Sequence, residues 1–360
     1  MKIERVWYPE TGDVTARLCG AALSPLSLLY RAGLGLRGGA GASAGAGCPV
    51  LSVGNLTVGG NGKTPLALEL CRLAQMNGLR PALVFRGYGR RTGEVRVAHR
   101  PGARPPAWQD VGDEPAFLAR RLPDLPMVVG RDRVAAALLA VREFSPDLVV
   151  CDDAFQHRAL HRDLDILAWN ARRGAGNGRL LPAGPLREPL SAARRADLVV
   201  FVNAASRPLE VLRAQHGLPA GVPAVGCDLV PEGWVAAGDW SRLLAAPGAG
   251  AFLGVCAIAH PGGFLESCRR AGIELAGSLA FRDHHAFSKR ELADITARAR
   301  ALGAAGVLTT EKDLVRLEGA AIGLPVFALR LSLRWGDGAE ELLVRRLLEL
   351  VERSCRSDGE

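Results

Sequence analysis

A chain of 360 residues is longer than one compact domain usually is, so two domains are expected. Hydrophobic residues at 48% and charged residues at 23% exclude a disordered chain, a collagen-like fibre and a polytopic membrane protein. The net charge of +8 suits an anionic partner, but only Lys2, Lys63, Lys289 and Lys312 among the 45 basic residues are lysines. Such arginine abundance, beside 43 glycines, marks a compositional bias. Arginine clusters therefore say little, and each surviving lysine says more.

The chain opens with a segment unlike the rest. Leu18 to Tyr30 carries no charge, lies between Arg17 and Arg31, and is interrupted by Pro25. It is shorter than the ~18–20 residues that span a bilayer. Three readings compete: a signal peptide, a buried helix packed on the main domain, and an amphipathic helix lying on an anionic membrane surface. Glu4, Glu10 and Asp13 spoil the positive start of a signal peptide, and the interfacial helix is the reading adopted. A run of glycine and alanine, Gly38 to Gly47, then reads as a flexible linker.

From Pro49 onward, short apolar runs alternate with helical patterns. Residues 49–53, 81–85, 126–130, 147–152, 165–169 and 197–202 read as strands, with helices at 65–77, 113–121 and 133–143. Near-continuous apolar strands between helices imply an α/β fold with a mostly parallel sheet sandwiched by helices. A smaller set follows at 222–227, 250–255, 273–279, 305–310 and 324–329, then a helix at 339–353. The expected organisation is an N-terminal helix and linker (1–48), a nucleotide-binding domain (49–229), a second, smaller α/β domain (230–332) and a C-terminal helix (333–360). The eight cysteines contain no C-x-x-C pair, which suits reduced thiols in a cytoplasmic protein.

The strongest motif is SVGNLTVGGNGKTP, residues 52–65. A strand, a glycine-rich turn and Gly62-Lys63-Thr64 opening a helix form the pattern of a P-loop. Its backbone N–H groups cradle phosphate oxygens, Lys63 reaches the β- and γ-phosphates, and Thr64 offers a hydroxyl to Mg²⁺. Thr57 stands where the pattern has its first glycine, with Val58, Gly59, Gly60 and Asn61 completing the loop. Asp152 and Asp153 end a buried strand, where ligands bind in open α/β sheets, and suit a Mg²⁺ anchor.

Other ionisable clusters are less committed. Asp113 and Glu114 precede a helical run, where Asp113 fits either a helix cap or a catalytic carboxylate. Asp283-His284-His285 fits a catalytic dyad, an exposed loop or, least well, a metal site. Loops bearing Arg86, Tyr88 and Arg90, then Arg131 and Arg133, and an irregular stretch from Asn177 to Glu188 follow strands on the side of the phosphate loop.

Taken in order, VGNLTVGGNGKTP, FRGYGRR, VGDEP, GRDR, CDDAFQH, RDLDI, GNGRLLPAGPLREP, RDHHAF and TTEKDLVRL resemble the motifs of the tetraacyldisaccharide 4'-kinases, the bacterial lipid A 4'-kinases. The likeness runs from about Val53 to Leu317. It departs at Thr57, at Ala154 where the family usually has glycine, and at His260 where it often has arginine.

The resemblance implies a membrane-associated P-loop kinase on the cytoplasmic face of the inner membrane. Such an enzyme transfers the γ-phosphate of ATP to the 4'-hydroxyl of an acylated disaccharide 1-phosphate lipid, giving lipid IVA. It implies Thr57 through Thr64 on ATP and Asp113 as base, assisted by His284 or His285, with His284 favoured. Thr64, Glu114, Asp152 and Asp153 would hold Mg²⁺, and Tyr88, Arg133 and Asn177 would line the substrate or phosphate site. The alternative reading is a membrane-associated P-loop ATPase acting as a positioning switch, although Val58 stands where its loop has a second lysine. No nucleic-acid partner is expected, since neither aromatic interleaving nor a recognition motif accompanies the charge.

Overall fold

A computed structural model describes residues 3–10, 12–37, 43–88, 90, 92–204 and 207–357. The expected linker lies in part on residues 38–42, outside the described residues. The chain divides into two compact units. The first holds residues 1–81, 146–228 and 334–360, and the second 82–145 and 229–333.

The first unit is built on parallel strands. The opening residues of Ala224–Ala236, then Leu198–Val202, Leu164–Asn170, Val50–Gly54 and Leu148–Asp152, pair side by side in that order. The last four strands are buried at every position. Strands without an exposed face must be covered on both sides, which is why they read as unbroken apolar runs. Helix Lys63–Met76 contributes buried Leu66, Leu70 and Leu73, and helix Ala339–Ser357 packs against it. A cluster of Phe155, Trp169, Phe201 and Leu212 forms a further part of the core.

The N-terminal segment of this unit forms three short helices, Ile3–Trp7, Val14–Ala22 and Ser24–Arg37, where one was expected. The break falls just before Pro25, whose ring and missing N–H are tolerated only in the first turn of a helix. Polar contacts tie these helices to residues 177–187. Trp7 Nε1 donates to the Pro182 carbonyl at 2.9 Å, Ser27 Oγ to Leu180 at 2.9 Å and the Tyr30 hydroxyl to Arg187 at 3.0 Å. Their outer face leaves Val14, Leu18, Leu26, Leu28 and Leu29 exposed. No helix among the described residues is long and apolar enough to cross a membrane.

The second unit contains two groups of strands. Pro81–Phe85 pairs in parallel with Met127–Val129, which Arg96–His99 flanks in the antiparallel sense. Leu275–Ala280, Phe252–Cys256, Val307–Thr310 and Val326–Trp335 form a parallel set in that order. Asp239–Leu244 lies antiparallel against the end of Ala224–Ala236. The sequence pattern does not predict Arg96–His99 or Asp239–Leu244. Both begin with exposed polar residues and lack the apolar run that marks a buried strand.

This division differs from the expected one, in which residues 82–145 belonged with the phosphate loop. Helix Asp113–Arg121 packs on helix Glu311–Leu317 instead. Arg121 meets Glu311 at 2.9 Å and Arg120 meets Glu318 at 2.9 Å. Chain order does not reveal which helix faces will meet, so the sequence alone suggests contiguous boundaries.

Candidate active site

The first cluster belongs to the first unit and grows from residues 52–65. Gly62 caps helix Lys63–Met76 with a left-handed backbone, φ +80°, and supplies no side-chain cap. A Cβ there would lie 2.9 Å from a Val202 methyl, so glycine is required for both space and conformation. The N–H groups of a helix start and the helix dipole favour an anion. Thr57 is not a vacancy in the motif: Asn61 Nδ2 donates to its hydroxyl at 2.8 Å and to the Gly59 carbonyl at 3.2 Å, bracing the loop. The Val58 N–H donates to the Pro185 carbonyl at 2.8 Å.

Lys63 Nζ lies 2.9 Å from Asn55 Oδ1 and 3.0 Å from Asp153 Oδ1. Arg187 donates to both Asp153 oxygens, at 2.8 and 3.0 Å. Burial works against the Asp153 charge, but Lys63 and Arg187 outweigh it and hold the carboxyl far below its usual range. Thr64 Oγ1 donates to Asp152 Oδ2 at 2.9 Å, joining the start of the helix to the end of the neighbouring strand. Of the residues expected on Mg²⁺, Thr64 and Asp152 therefore stand together, while Asp153 is engaged by two cations. Among the described residues, no three His, Cys, Asp or Glu side chains gather as a metal cage.

The second cluster belongs to the second unit and gathers residues from distant segments. Gly112, at φ +99°, turns the chain into helix Asp113–Arg121, and a Cβ on it would meet the Tyr88 carbonyl oxygen at 2.7 Å. Asp113 is buried, and its Oδ1 accepts from the Glu114 N–H at 2.9 Å. His284 Nδ1 lies 2.9 Å from Asp113 Oδ2 and 3.1 Å from Oδ1. His284 itself has φ +59°, a strained backbone for a residue with a Cβ.

Two cations close the cluster. Arg316 NH1 is 3.5 Å from Asp113 Oδ2 and Lys312 Nζ is 4.0 Å from it. Lys312 Nζ also stands 3.1 Å from His284 Nε2, 3.4 Å from Glu114 Oε1 and 3.5 Å from Asp283 Oδ1. Burial disfavours a charged Asp113, yet His284, Lys312 and Arg316 prevail and lower its pKa. At His284 burial pulls the pKa down and the Asp113 hydrogen bond pushes it up; Lys312 opposes the latter, and the net shift is upward. Burial also works against the Lys312 ammonium, but Glu114, Asp113 and Asp283 raise its pKa.

The two histidines part company. His285 Nε2 lies 2.9 Å from Glu291 Oε1 and its ring stacks on Phe281 at 5.2 Å. Glu291 completes a capping box with Ser288 at the start of helix Lys289–Ala301. The Ser288 N–H and hydroxyl, then His285, hold the Glu291 carboxyl at about 2. His285 thus braces a helix start, and the arrangement gives it no hydrogen bond to Asp113.

Of the residues expected to line the substrate, Tyr88 fits best. It is 46% exposed and its ring lies 6.0 Å from that of His284, with the Arg86 guanidinium 4.7 Å above it. Arg133 is buried and donates to the Gly130 carbonyl. Asn177 donates to the carbonyls of Val6 and Ala183, at 3.0 and 2.8 Å, and pins the N-terminal helices to its loop. These hydrogen bonds of Arg133 and Asn177 go to the protein's own backbone. Sequence reasoning gave no role to Asn55, Arg187, Lys312 or Arg316. Lys312 had a signal, as one of only four lysines, and TTEKDLVRL holds it with Arg316.

Comparison with known proteins closes the argument. Residues 19–350 match the family described as tetraacyldisaccharide-1-P 4'-kinase. The chain is 41% identical to the tetraacyldisaccharide 4'-kinase of Anaeromyxobacter dehalogenans (strain 2CP-C), over 94% of this chain and 93% of that one. It is 40% identical to that of Geobacter sulfurreducens, over 92% and 94% of the two chains. A crystal structure of LpxK from Aquifex aeolicus in complex with ATP superposes with a TM-score of 0.74 at 30% identity, covering 93% of this chain and 99% of that one. On this evidence the chain belongs to the tetraacyldisaccharide 4'-kinase family.

Proposed function

We propose that the protein transfers the γ-phosphate of ATP to the 4'-hydroxyl of a tetraacyldisaccharide 1-phosphate. Family membership carries this reading, and the residues supply chemistry that suits it. Lys63 and the helix N-terminus answer the charge of the nucleotide phosphates. Asp113, oriented by His284, accepts a hydrogen bond from the sugar hydroxyl and aims its lone pair at phosphorus. Phosphoryl transfer runs through a loose transition state, so a carboxylate with a lowered pKa serves well enough. It takes the proton as the new O–P bond forms, when the hydroxyl has become acidic. The positioning-switch ATPase gains no support from the family match.

Thr64 and Asp152 would hold a Mg²⁺ ion at the end of the phosphate loop. Hard oxygens in small number suit this metal, which keeps most of its shell for water and substrate phosphates. When bound, it would neutralise charge building on the phosphate oxygens. Tyr88 would border the acceptor site beside His284. The outward leucines of the N-terminal helices would lie on the cytoplasmic leaflet of the inner membrane, an anionic surface, where the acyl chains of the acceptor remain.

The deciding experiment is transfer of radiolabelled γ-phosphate from ATP, with Mg²⁺, to a tetraacyldisaccharide 1-phosphate in mixed micelles. A labelled lipid is expected. ATP hydrolysis with no labelled lipid would overturn the reading. For the membrane surface, the full chain should float with vesicles of anionic phospholipid, and a Leu28→Glu, Leu29→Glu double variant should float less. Equal flotation would place the contact elsewhere.

A further inference from the structure

We propose that Lys312 is a positioning residue that keeps Nε2 of His284 without a proton, so that the ring carries one proton, on Nδ1. The inference rests on the reading of Asp113 as the group that meets the sugar hydroxyl. An ammonium has three N–H donors and no acceptor. Lys312 Nζ has three acceptors within reach: His284 Nε2 at 3.1 Å, Glu114 Oε1 at 3.4 Å and Asp283 Oδ1 at 3.5 Å. Donation to Nε2 requires a lone pair there. The one ring proton then sits on Nδ1, where it donates to Asp113 at 2.9 Å.

The other ring states fit badly. A proton on Nε2 would point at a cation 3.1 Å away and would leave two lone-pair groups, Nδ1 and the Asp113 carboxylate, facing one another. An imidazolium would add a second positive charge against the same ammonium. Without Lys312, Asp283 Oδ1 lies 3.9 Å from Nε2, and a second proton there becomes favourable while Asp113 keeps the first on Nδ1. Lys312 is 17% exposed at its side chain, and Glu114 and Asp283 hold it on the ring from two sides. Its effect on the reaction passes through His284: a neutral ring with its proton on Nδ1 orients Asp113 and leaves that carboxylate as the acceptor for the hydroxyl proton.

The test is two-bond ¹H–¹⁵N correlation spectroscopy of the full chain labelled with ¹⁵N-histidine, with His284→Gln assigning the resonance. The wild-type ring is expected to show a protonated Nδ1 and a bare Nε2. Lys312→Met is expected to let Nε2 take up a proton beside the one on Nδ1 and to lower kcat roughly tenfold to a hundredfold, with KM for ATP within about twofold. A wild-type spectrum with the proton on Nε2 would overturn the proposal and needs no variant. So would a folded Lys312→Met protein whose Nε2 stays bare or whose kcat is unchanged. If the wild-type protein labels no lipid, the proposed reaction fails, while the spectrum still decides the tautomer.

Discussion

The phosphate loop and the Asp113 cluster both hold charge in place, but they are built from opposite kinds of sequence. The loop is one stretch, residues 52–65, supported by the end of an adjacent strand. The cluster joins Asp113 to a histidine 171 residues away and Glu114 to a lysine 198 residues away. In a P-loop the backbone does much of the binding, so glycine spacing alone announces the motif. In the cluster mainly side chains meet, and their meeting depends on the packing of helices Asp113–Arg121 and Glu311–Leu317. A contiguous site tolerates a substitution such as Thr57 because a neighbour can absorb it. An assembled site has no such local repair.

The sharpest test of this contrast is the assembled site. Asp113→Asn keeps the shape and removes the charge, and should lower kcat by roughly 10²–10⁴ with little change in KM for ATP. A change in KM alone would make Asp113 a binding group. Next comes the loop, where Lys63→Met should lower turnover by about 10²–10³, as expected for loss of one charged group facing the transferring phosphate. Near-normal turnover would remove Lys63 from the phosphates. The smallest effect should come from His285→Ala, with kcat within about twofold of wild type. Hydrogen exchange at the first amides of helix Lys289–Ala301 should nevertheless quicken. A loss as large as that of Asp113→Asn would return His285 to the reaction.

The same contrast explains what could be read in advance. The buried strands, the loop and the Asp152 strand end were legible because apolar runs and glycine turns are local patterns. The family likeness pointed to Asp113 and His284, but not to the two cations closing around them. Those come from helix Glu311–Leu317, and nothing near Lys312 or Arg316 in the sequence says which carboxylate they will face. Asn177, which the resemblance puts at the substrate or phosphate site, also donates its amide to the Val6 and Ala183 carbonyls. Residue type and turn chemistry do not reveal whether a polar side chain serves a ligand or its own backbone.

The interleaving of the two units has a consequence for how the protein comes into being. Its chain leaves the first unit after residue 81, returns at 146, leaves again after 228 and returns at 334. On the ribosome, the strands of the first unit are therefore complete long before helix Ala339–Ser357, which covers helix Lys63–Met76, has been synthesised. Contacts of such high sequence separation form slowly and leave apolar surface uncovered in the meantime. The enzyme must therefore carry an unfinished first unit through most of its own translation, and the second unit has to fold while held at both ends by that unfinished neighbour.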